Sequence, residues 1–139
     1  YHRRLFAQLA KELIKQGDHV RARKVLTYAE QAVPAYNVPE IYESGSFDIA
    51  TAYAALGEKT KAVTLFNHLI AESEDYINWA FSLGNGRTGM MQNDCLYKFW
   101  QWNAYNERMK EIDKESYEAS NRRFEEKYAL FTQIINNRN

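Results

Sequence analysis

The sequence predicts an all-α protein made of antiparallel helical hairpins. Apolar residues recur at intervals of three and four over most of the 139 residues, which is the period of helices that face a core. A pattern of glycine, small residue and large apolar residue also occurs twice, spaced by five and then four positions. Its two copies are Gly17, Ala22, Leu26 and Gly57, Ala62, Phe66. We expect a tight corner between two helices at each glycine.

The first hairpin is predicted over residues 1–34. Its first helix runs from His2 to Gln16 and carries an apolar stripe that we expect to face the core. The stripe consists of Leu5, Phe6, Leu9, Leu13 and Ile14. Gly17 can adopt the left-handed conformation that ends a helix, and Asp18 can cap the next helix. That second helix runs from about Val20 to Val33, and Ala22 lets the two helices approach closely.

A connector over residues 35–43 and a second hairpin over residues 44–75 follow. Pro34 and Pro39 bracket the connector, which cannot continue a helix because proline lacks a backbone donor and restricts the preceding residue. The third helix is expected from about Ile41 to Leu56, and Gly57 repeats the corner. The fourth helix is expected to end in the acidic stretch Glu72 to Asp75.

Residues 76–139 are predicted to form C-terminal helices that cap the hairpins, within a single helical domain spanning 1–139. A short helix or turn is expected over Tyr76 to Leu83, and Gly84 to Gly89 is expected to be a loop. From Asp94 to Asn139 there is neither glycine nor proline, so the segment is predicted to be helical. A break near Glu111 to Ser116 and one uninterrupted helix are both compatible with the pattern.

Composition excludes several classes of function. Lys plus Arg equals Asp plus Glu at 18 each, so the chain has no net positive field to hold nucleic acid, and no nucleic-acid partner is expected. Cys95 is the only cysteine, so no internal disulfide can form. No apolar run approaches the roughly 20 residues of a membrane span. Because the chain opens on Tyr1 inside an amphipathic pattern, we expect it to be a domain cut from a larger protein.

Candidate chemistry is sparse, and neither catalysis nor a cofactor is expected. Residues Gly84 to Gly89 match G-x-G-x-x-G, but a dinucleotide site needs a preceding strand, which the pattern before Gly84 does not predict. His68 and Glu72 have the four-residue spacing of metal ligands on a helix, yet the three histidines are too scattered to complete a site. No nucleophile with a paired base is evident, so this segment is not expected to be an enzyme.

Aromatic residues are densest between residues 76 and 102. Rings at helical spacing usually fill a core, and exposed rings can stack on sugars or bases. Trp100 and Trp102 point in different directions on a helix, so both cannot lie deep in one core. We therefore treat Trp100 and Trp102 as candidate aromatic contacts, one of them exposed.

The repeated corner resembles the tetratricopeptide repeat, a helix pair of about 34 residues. The corner glycines are 40 residues apart, and the connector absorbs the excess. Because only two copies are recognisable, the C-terminal helices are expected to serve as the missing repeat or cap. The resemblance implies a right-handed array whose groove is lined by the first helix of each pair. Its candidate residues are Arg4, Lys11, Lys15, Phe47 and Thr51. The asparagines with which some members clamp a peptide carboxylate are missing at matching positions.

A second resemblance is to soluble C-terminal domains of a functionally uncharacterised family of multipass bacterial membrane proteins, grouped with glycosyltransferases of the protein mannosyltransferase type. It rests on short motifs: Arg4-Leu5-Phe6, Leu9-Ala10, Leu13, Gly17, Ala22 to Leu26, Val33-Pro34 and Val38-Pro39. The resemblance implies a bacterial inner-membrane protein with this domain on the periplasmic side, tethered only through other parts of the parent chain. No segment resembles a catalytic motif of that group.

These observations predict a non-catalytic protein-interaction or scaffolding module of a membrane-anchored protein. Its expected partner is another protein or the remainder of its own parent chain. The alternative from another class is an accessory domain of a membrane glycosyltransferase that binds a glycan or lipid-linked sugar through the aromatic cluster. The partner, the oligomeric state and the reaction of the parent protein do not follow from the residues.

Overall fold

The all-α prediction is confirmed in a computed structural model, which describes residues 2–34 and 45–137. Those residues contain seven helices: α1 (His2–Lys15), α2 (His19–Ala32), α3 (Ser46–Ala55), α4 (Lys59–Ser82), α5 (Asn85–Met90), α6 (Gln92–Ile112) and α7 (Lys114–Asn136). The chain divides into two compact units, Tyr1–Leu69 and Ile70–Asn139. The predicted connector at 35–43 lies outside the described residues.

The first corner forms as predicted. Gly17 has φ 81°, the left-handed conformation that costs glycine least. The Asp18 amide donates to the Leu13 carbonyl at 2.8 Å, which satisfies a carbonyl at the end of α1. The Asp18 carboxylate then accepts from the Arg21 amide at 3.1 Å and caps α2. Ala22 is fully buried, as close approach of two helices requires.

The second corner repeats the first almost bond for bond. Gly57 has φ 80°, and the Glu58 amide donates to the Tyr53 carbonyl at 2.9 Å. Ala62 is fully buried, like its counterpart in the first hairpin. In the described residues α3 begins at Ser46, after the left-handed Gly45 at φ 90°. The earlier start expected at Ile41 lies outside the described residues.

The predicted core stripe of α1 is wrong in part. Leu5 and Leu9 are exposed, and the buried positions of this helix are Arg3, Ala7 and Ala10. Because α1 packs against both α2 and α3, its small residues occupy the crowded side. The buried apolar side chains of this unit are Ala7, Ala10, Ala22, Leu26, Ala29, Ile49, Ala50, Ala52, Tyr53, Leu56, Ala62, Phe66 and Leu69.

The predicted end of the fourth helix at Glu72 to Asp75 is also wrong, because α4 continues to Ser82. Two of its acidic residues, Glu72 and Glu74, pair with cationic side chains on other helices, which offsets the repulsion between neighbouring carboxylates. Glu72 pairs with Lys98 of α6 at 2.8 Å. Glu74 pairs with Arg123 and Lys127 of α7 at 3.1 and 2.9 Å.

The segment from Gly84 to Gly89, expected to be a loop, is largely the short helix α5. Gly84 turns the chain with φ 91°. Thr88 is buried, and its hydroxyl contacts the carbonyl oxygens of Ala80 at 2.7 Å and Gly84 at 2.9 Å. These contacts tie the start of α5 to the end of α4.

The C-terminal segment, for which the sequence allowed either one helix or two, forms two helices. The break falls at Asp113, whose backbone is extended at φ −149° and ψ 100°. The Ser116 hydroxyl donates to the Asp113 carboxylate at 2.7 Å beside this break. The buried apolar side chains of the second unit are Ile70, Ile77, Ala80, Cys95, Phe99, Trp102, Tyr105, Met109, Phe131 and Ile134.

Among the residues described, no helix combines the length and apolar character needed to span a membrane.

Candidate functional site

The residues of the predicted groove lie on α1 and α3. The Arg4 guanidinium lies 3.5 Å from the Asp48 carboxylate, which links the two helices. The Thr51 hydroxyl donates to the Asp48 carbonyl at 2.9 Å and is half-buried. Lys11 and Lys15 are exposed on α1. All five predicted groove residues therefore lie on these two helices at exposed or half-buried positions, and Arg4 is paired with an acidic neighbour.

Phe47, the fifth predicted groove residue, takes part in packing within the second hairpin. Its ring lies edge-on to the Phe66 ring of α4, with centroids 6.1 Å apart. Phe66 is fully buried, and Phe47 is half-buried. Phe47 thus belongs to the contact between α3 and α4.

A more conspicuous surface lies on the outside of the first hairpin. Leu5, Leu9 and Tyr28 are 44%, 51% and 60% exposed. Phe6 joins them across the two helices, because its ring meets the Tyr28 ring edge-on at 5.5 Å between centroids. We call Leu5, Phe6, Leu9 and Tyr28 the apolar face of hairpin one.

Cationic side chains continue this face along α2. Lys24 and Arg21 precede Tyr28 by four and seven residues, so they share its side of the helix, and both are exposed. Arg21 also lies 3.4 Å from the Asp18 carboxylate. Glu12 follows Leu9 by three residues on α1 and supplies one negative charge. Residues 1–33 as a whole carry seven basic and three acidic side chains.

A cavity of about 420 Å³ opens within the first unit, between α2, α3 and α4. Apolar side chains from these helices form part of its wall, among them Ala29, Ile49 and Leu65. Charged groups at its wall include Arg3, Glu30 and Lys61. Its volume lies within the range of roughly 300–1,000 Å³ that is usual for small-molecule sites.

The cavity wall is organised by contacts between helices. The Arg3 side chain is buried, with the residue only 5% exposed, and its guanidinium donates to the Val33 carbonyl at 2.9 Å. The Tyr53 hydroxyl donates to the Glu30 carboxylate at 2.6 Å. The Lys61 ammonium lies 5.3 Å from the centroid of the Tyr53 ring. Burial, followed by the hydrogen bond to Glu30, raises the pKa of Tyr53 above its usual value.

The two candidate tryptophans separate as their spacing predicts. Trp100 is 54% exposed, whereas Trp102 is fully buried. The Trp102 indole donates to the Ser120 hydroxyl at 2.9 Å, and that hydroxyl donates to the Asn106 side-chain oxygen at 2.7 Å. Trp102 is therefore part of the core, and Trp100 is the one of the two that a ligand can reach.

Three further rings lie on α4 and α6 of the second unit, of which Trp79 and Tyr97 are exposed and Tyr76 is half-buried. The Trp100 ring stacks on Tyr97 of the same helix, with centroids 5.9 Å apart and planes 26° apart. On α4, Tyr76 and Trp79 form a second pair at 5.5 Å. The Lys98 ammonium lies 5.5 Å from the Tyr76 ring centroid and thereby connects α6 to that pair. We call Tyr76, Trp79, Tyr97 and Trp100 the aromatic surface of the second unit.

The remaining motifs do not develop into sites. The G-x-G-x-x-G segment follows α4, a helix, where a dinucleotide motif requires a strand. His68 lines the cavity of the first unit, and Glu72 is paired with Lys98. In the part of the chain that the structure describes, no three His, Cys, Asp or Glu side chains are grouped as a metal site would need.

Comparison of the chain with protein families, curated proteins and solved structures finds no match. Sequence patterns missed two of these surfaces. The cavity arises from residues far apart in the chain, and the apolar face of hairpin one has the same helical period as a buried stripe. The excess of basic over acidic side chains in residues 1–33 is the sequence feature that indicates the charge beside that face.

Proposed function

We propose that this chain is a non-catalytic protein-interaction module whose first hairpin binds an acidic amphipathic helix. The exposure of Leu5 and Leu9 on α1 and of Tyr28 on α2, whose ring contacts Phe6 of α1, carries this proposal. Burial of one such side chain stabilises a complex by roughly 1.5–3 kcal/mol. A helix with an apolar stripe is the usual partner for a surface of this kind.

Charge favours an acidic partner. Residues 1–33 carry seven basic and three acidic side chains. Lys24 and Arg21 extend from the apolar face along α2, where Arg21 lies 3.4 Å from the Asp18 carboxylate, and Glu12 shares the helical register of Leu9 on α1. An acidic helix would place carboxylates near these cations, which speeds association and orients the partner. A basic helix would meet repulsion there.

Synthetic peptides test the proposal directly. An 18-residue peptide with leucines at helical positions i, i+3, i+4 and i+7 would be flanked by glutamates, and a matched peptide would carry lysines. We expect the glutamate peptide to bind at least about tenfold more tightly in fluorescence anisotropy, the equivalent of about 1.4 kcal/mol. Leu9→Asp should weaken it by a further factor of about ten or more.

The control is Leu130→Asp, which alters a comparably exposed leucine on α7. This variant should bind the glutamate peptide like the unmodified chain. Equal binding of both peptides, or equal loss in both variants, would contradict the proposal. Sedimentation of the chain alone gives a further outcome: a dimer dissociated by Leu9→Asp would show that a second copy covers this face instead.

The proposal includes the finer architecture and setting that the resemblances imply. The matching corners at Gly17 and Gly57, and the packing of α1 against α3, support a right-handed tetratricopeptide-like array. The partner is another protein or the remainder of the parent chain, and the parent is a bacterial inner-membrane protein with this domain on the periplasmic side. An experimental structure tests the array, and a phosphatase fusion to the parent protein tests the location.

A second candidate function is glycan binding by the aromatic surface of the second unit. Exposed Trp100 stacked on Tyr97, with exposed Trp79 on α4, is the observation that favours it. Flat rings of this kind provide the apolar contact that a sugar ring needs. Calorimetry with mannotriose and chitotriose should show binding that Trp100→Ala abolishes. No heat with either sugar, or binding unchanged in Trp100→Ala, would count against this function.

A further inference from the structure

We infer that Asp75 and Trp79, on the exposed side of α4, form a binding site for a lysine side chain of a partner protein. The two residues lie four positions apart on one helix, so they share a face. Side chains of a helix lean toward its N-terminus, which directs the Trp79 ring toward the turn that holds Asp75. The site uses none of the residues of the apolar face of hairpin one, so it does not depend on the acidic helix proposed for that face.

A second pair on α4 shows how a carboxylate and a ring hold a lysine in this protein. Glu72 and Tyr76 are also four positions apart. The Lys98 ammonium lies 2.8 Å from a Glu72 carboxylate oxygen and 5.5 Å from the centroid of the Tyr76 ring. The cation thus has an ion pair and an aromatic ring at the same time, and only 16% of its side chain is exposed. Lys98 therefore displays the chemistry that we assign to Asp75 and Trp79.

Among the described residues, no cation of the chain occupies the pair formed by Asp75 and Trp79. Over residues 2–34 and 45–137, the Asp75 carboxylate makes no ion pair or hydrogen bond. The positions three and four residues away from Asp75 on α4 hold neither lysine nor arginine. The Trp79 ring contacts the Tyr76 ring on one side, yet the residue stays 50% exposed. The carboxylate and the ring are therefore both accessible to a partner.

Charge around the pair favours a cationic partner. Residues 70–94 carry four acidic side chains and one basic side chain. Glu72 and Glu74 are paired with cations of α6 and α7, whereas Asp75 and Asp94 have no ion pair among the described residues. A partner's ammonium would be attracted to this region, and a partner's carboxylate would be repelled. Lysine suits the pair because its alkyl stem can lie along the indole while the ammonium reaches the carboxylate.

The exposed rings of α6 lack such a carboxylate. Trp100 is 54% exposed, much like Trp79, but the position four residues before it is Leu96. Tyr97 is preceded at the same spacing by Asn93. These rings offer flat apolar surface with no negative charge in the preceding turn of the same face. Trp100 is therefore a matched control for Trp79.

The experiment uses three capped pentapeptides with glycine and alanine around a central lysine, acetyl-lysine or glutamate. NMR follows the indole N–H signals of the three tryptophans of the unmodified chain, assigned by single substitutions. We expect the lysine peptide to shift the Trp79 signal and to bind at least about threefold more tightly than the acetyl-lysine peptide, which keeps the stem without the charge. The glutamate peptide should leave the Trp79 signal unchanged. Equal binding of the lysine and acetyl-lysine peptides, or no shift of the Trp79 signal, would overturn the inference.

Two variants localise the lysine. Asp75→Asn should weaken the lysine peptide at least about threefold and leave the acetyl-lysine peptide unchanged, because it removes charge and preserves shape. Trp79→Leu should weaken the lysine peptide by at least about twofold. Asp75→Asn is nearly isosteric at an exposed position, so it keeps the test valid even if Trp79→Leu perturbs the fold. Unchanged lysine binding in Asp75→Asn would contradict the site.

Matched controls separate this site from net charge and from the other rings. Glu126→Gln removes the same charge from an exposed position of α7, and Trp100→Leu removes a ring of similar exposure. Both variants should bind the lysine peptide like the unmodified chain. Equal losses in Asp75→Asn and Glu126→Gln would show that net charge alone attracts the peptide, and a loss in Trp100→Leu without one in Trp79→Leu would place the lysine on α6. Either result would refute the site.

Two further measurements distinguish the lysine site from the proposed functions. Leu9→Asp, which should weaken the acidic helix at hairpin one, should leave the lysine peptide unaffected. A glucosamine trisaccharide carries the same ammonium group on a sugar. Tighter binding of this sugar than of the lysine peptide, lost in Asp75→Asn, would assign the site to glycans and overturn the assignment to a protein partner.

Discussion

Tyr53 of α3 donates its phenolic hydrogen to the Glu30 carboxylate of α2 across 2.6 Å, joining the two hairpins of the first unit. The Tyr53 residue is buried, and Glu30 lies at the surface. We expect Tyr53→Phe to lower the free energy of unfolding by at least about 1 kcal/mol, since a bond to a charged acceptor is lost. Urea titration measures this. Tyr28→Phe is the control, because the ring contact of Tyr28 with Phe6 survives; equal losses in both variants would contradict the prediction.

The same tyrosine predicts a weakening of the fold at alkaline pH. Burial and the hydrogen bond to Glu30 raise the pKa of Tyr53 above the usual value of about 10. The folded state therefore holds this proton more tightly than the unfolded state. The stabilisation is complete below about pH 10 and is lost as the pH rises beyond it. Urea titrations between pH 8 and 11 should show a steeper fall for the unmodified chain than for Tyr53→Phe. Parallel curves would show that Tyr53 makes no such contribution.

The close contacts around Gly45 predict that alanine is less well tolerated there than at Gly17, although the two glycines have similar backbone conformations. Gly45 and Gly17 have φ 90° and 81°. A Cβ on Gly45 would lie 2.9 Å from both the Arg3 Cβ and the Arg4 amide nitrogen, whereas one on Gly17 would meet nothing within 4 Å. Gly17→Ala should cost about 1–2 kcal/mol for the left-handed conformation. Gly45→Ala should cost clearly more, by roughly a further 1–3 kcal/mol of overpacking. Thermal unfolding of the two variants checks this order, and similar melting temperatures would refute it.

The buried Trp102, Ser120 and Asn106 hydrogen bonds predict a sensitive position on α7. Ser120→Ala removes the hydroxyl that accepts from the Trp102 indole and donates to the Asn106 side-chain oxygen, so both groups lose a hydrogen bond. An unsatisfied buried polar group costs about 1–3 kcal/mol. Ser116→Ala, on the same helix but half-buried, should cost about 0.5–1.5 kcal/mol. Chemical unfolding followed by tryptophan fluorescence compares them. A Ser120→Ala variant as stable as Ser116→Ala would argue against the buried chain of hydrogen bonds.

We expect the Cys95 thiol to react only when the second unit opens. It is fully buried, and burial raises its pKa, with a further contribution from the neighbouring Asp94 carboxylate. Less thiolate and no access both slow reaction. Labelling by a disulfide reagent at pH 8 should be at least about 100-fold slower than in denaturant. In a Cys95→Ser background, Asn93→Cys places a thiol on the exposed side of α6 and should label rapidly. Rapid labelling of native Cys95 would contradict its buried position.

Local chemistry accounts for what could be predicted about the hairpins. The corners at Gly17 and Gly57 need only a left-handed residue and a small residue five positions on, and both requirements can be recognised along the chain. The loss of phase in the apolar stripe indicated a possible break near Asp113, but one uninterrupted helix fitted the pattern equally well. That Trp100 and Trp102 would separate followed from the helical period, although which of them would be buried did not.

Longer-range contacts explain the predictions that were wrong. The acidic stretch from Glu72 continues α4 because Lys98 and Arg123 neutralise it from other helices, and no local pattern contains those partners. Residues 84–89 are largely helical because buried Thr88 bonds to the Ala80 carbonyl. In each case a contact with another helix decided the conformation of the segment.

The sequence by itself determined the helical class, the two corners and the small residues packed behind them, because these depend on backbone conformation and on a period of 3.6 residues. Only the tertiary structure decided which apolar residues of α1 stay in solvent and where a cavity opens. The physical reason is that the helical period predicts which residues share a face but not which face is buried. Leu5 and Leu9 would be buried only if another helix packed against them. Instead, α1 buries Ala7 and Ala10 against its neighbouring helices.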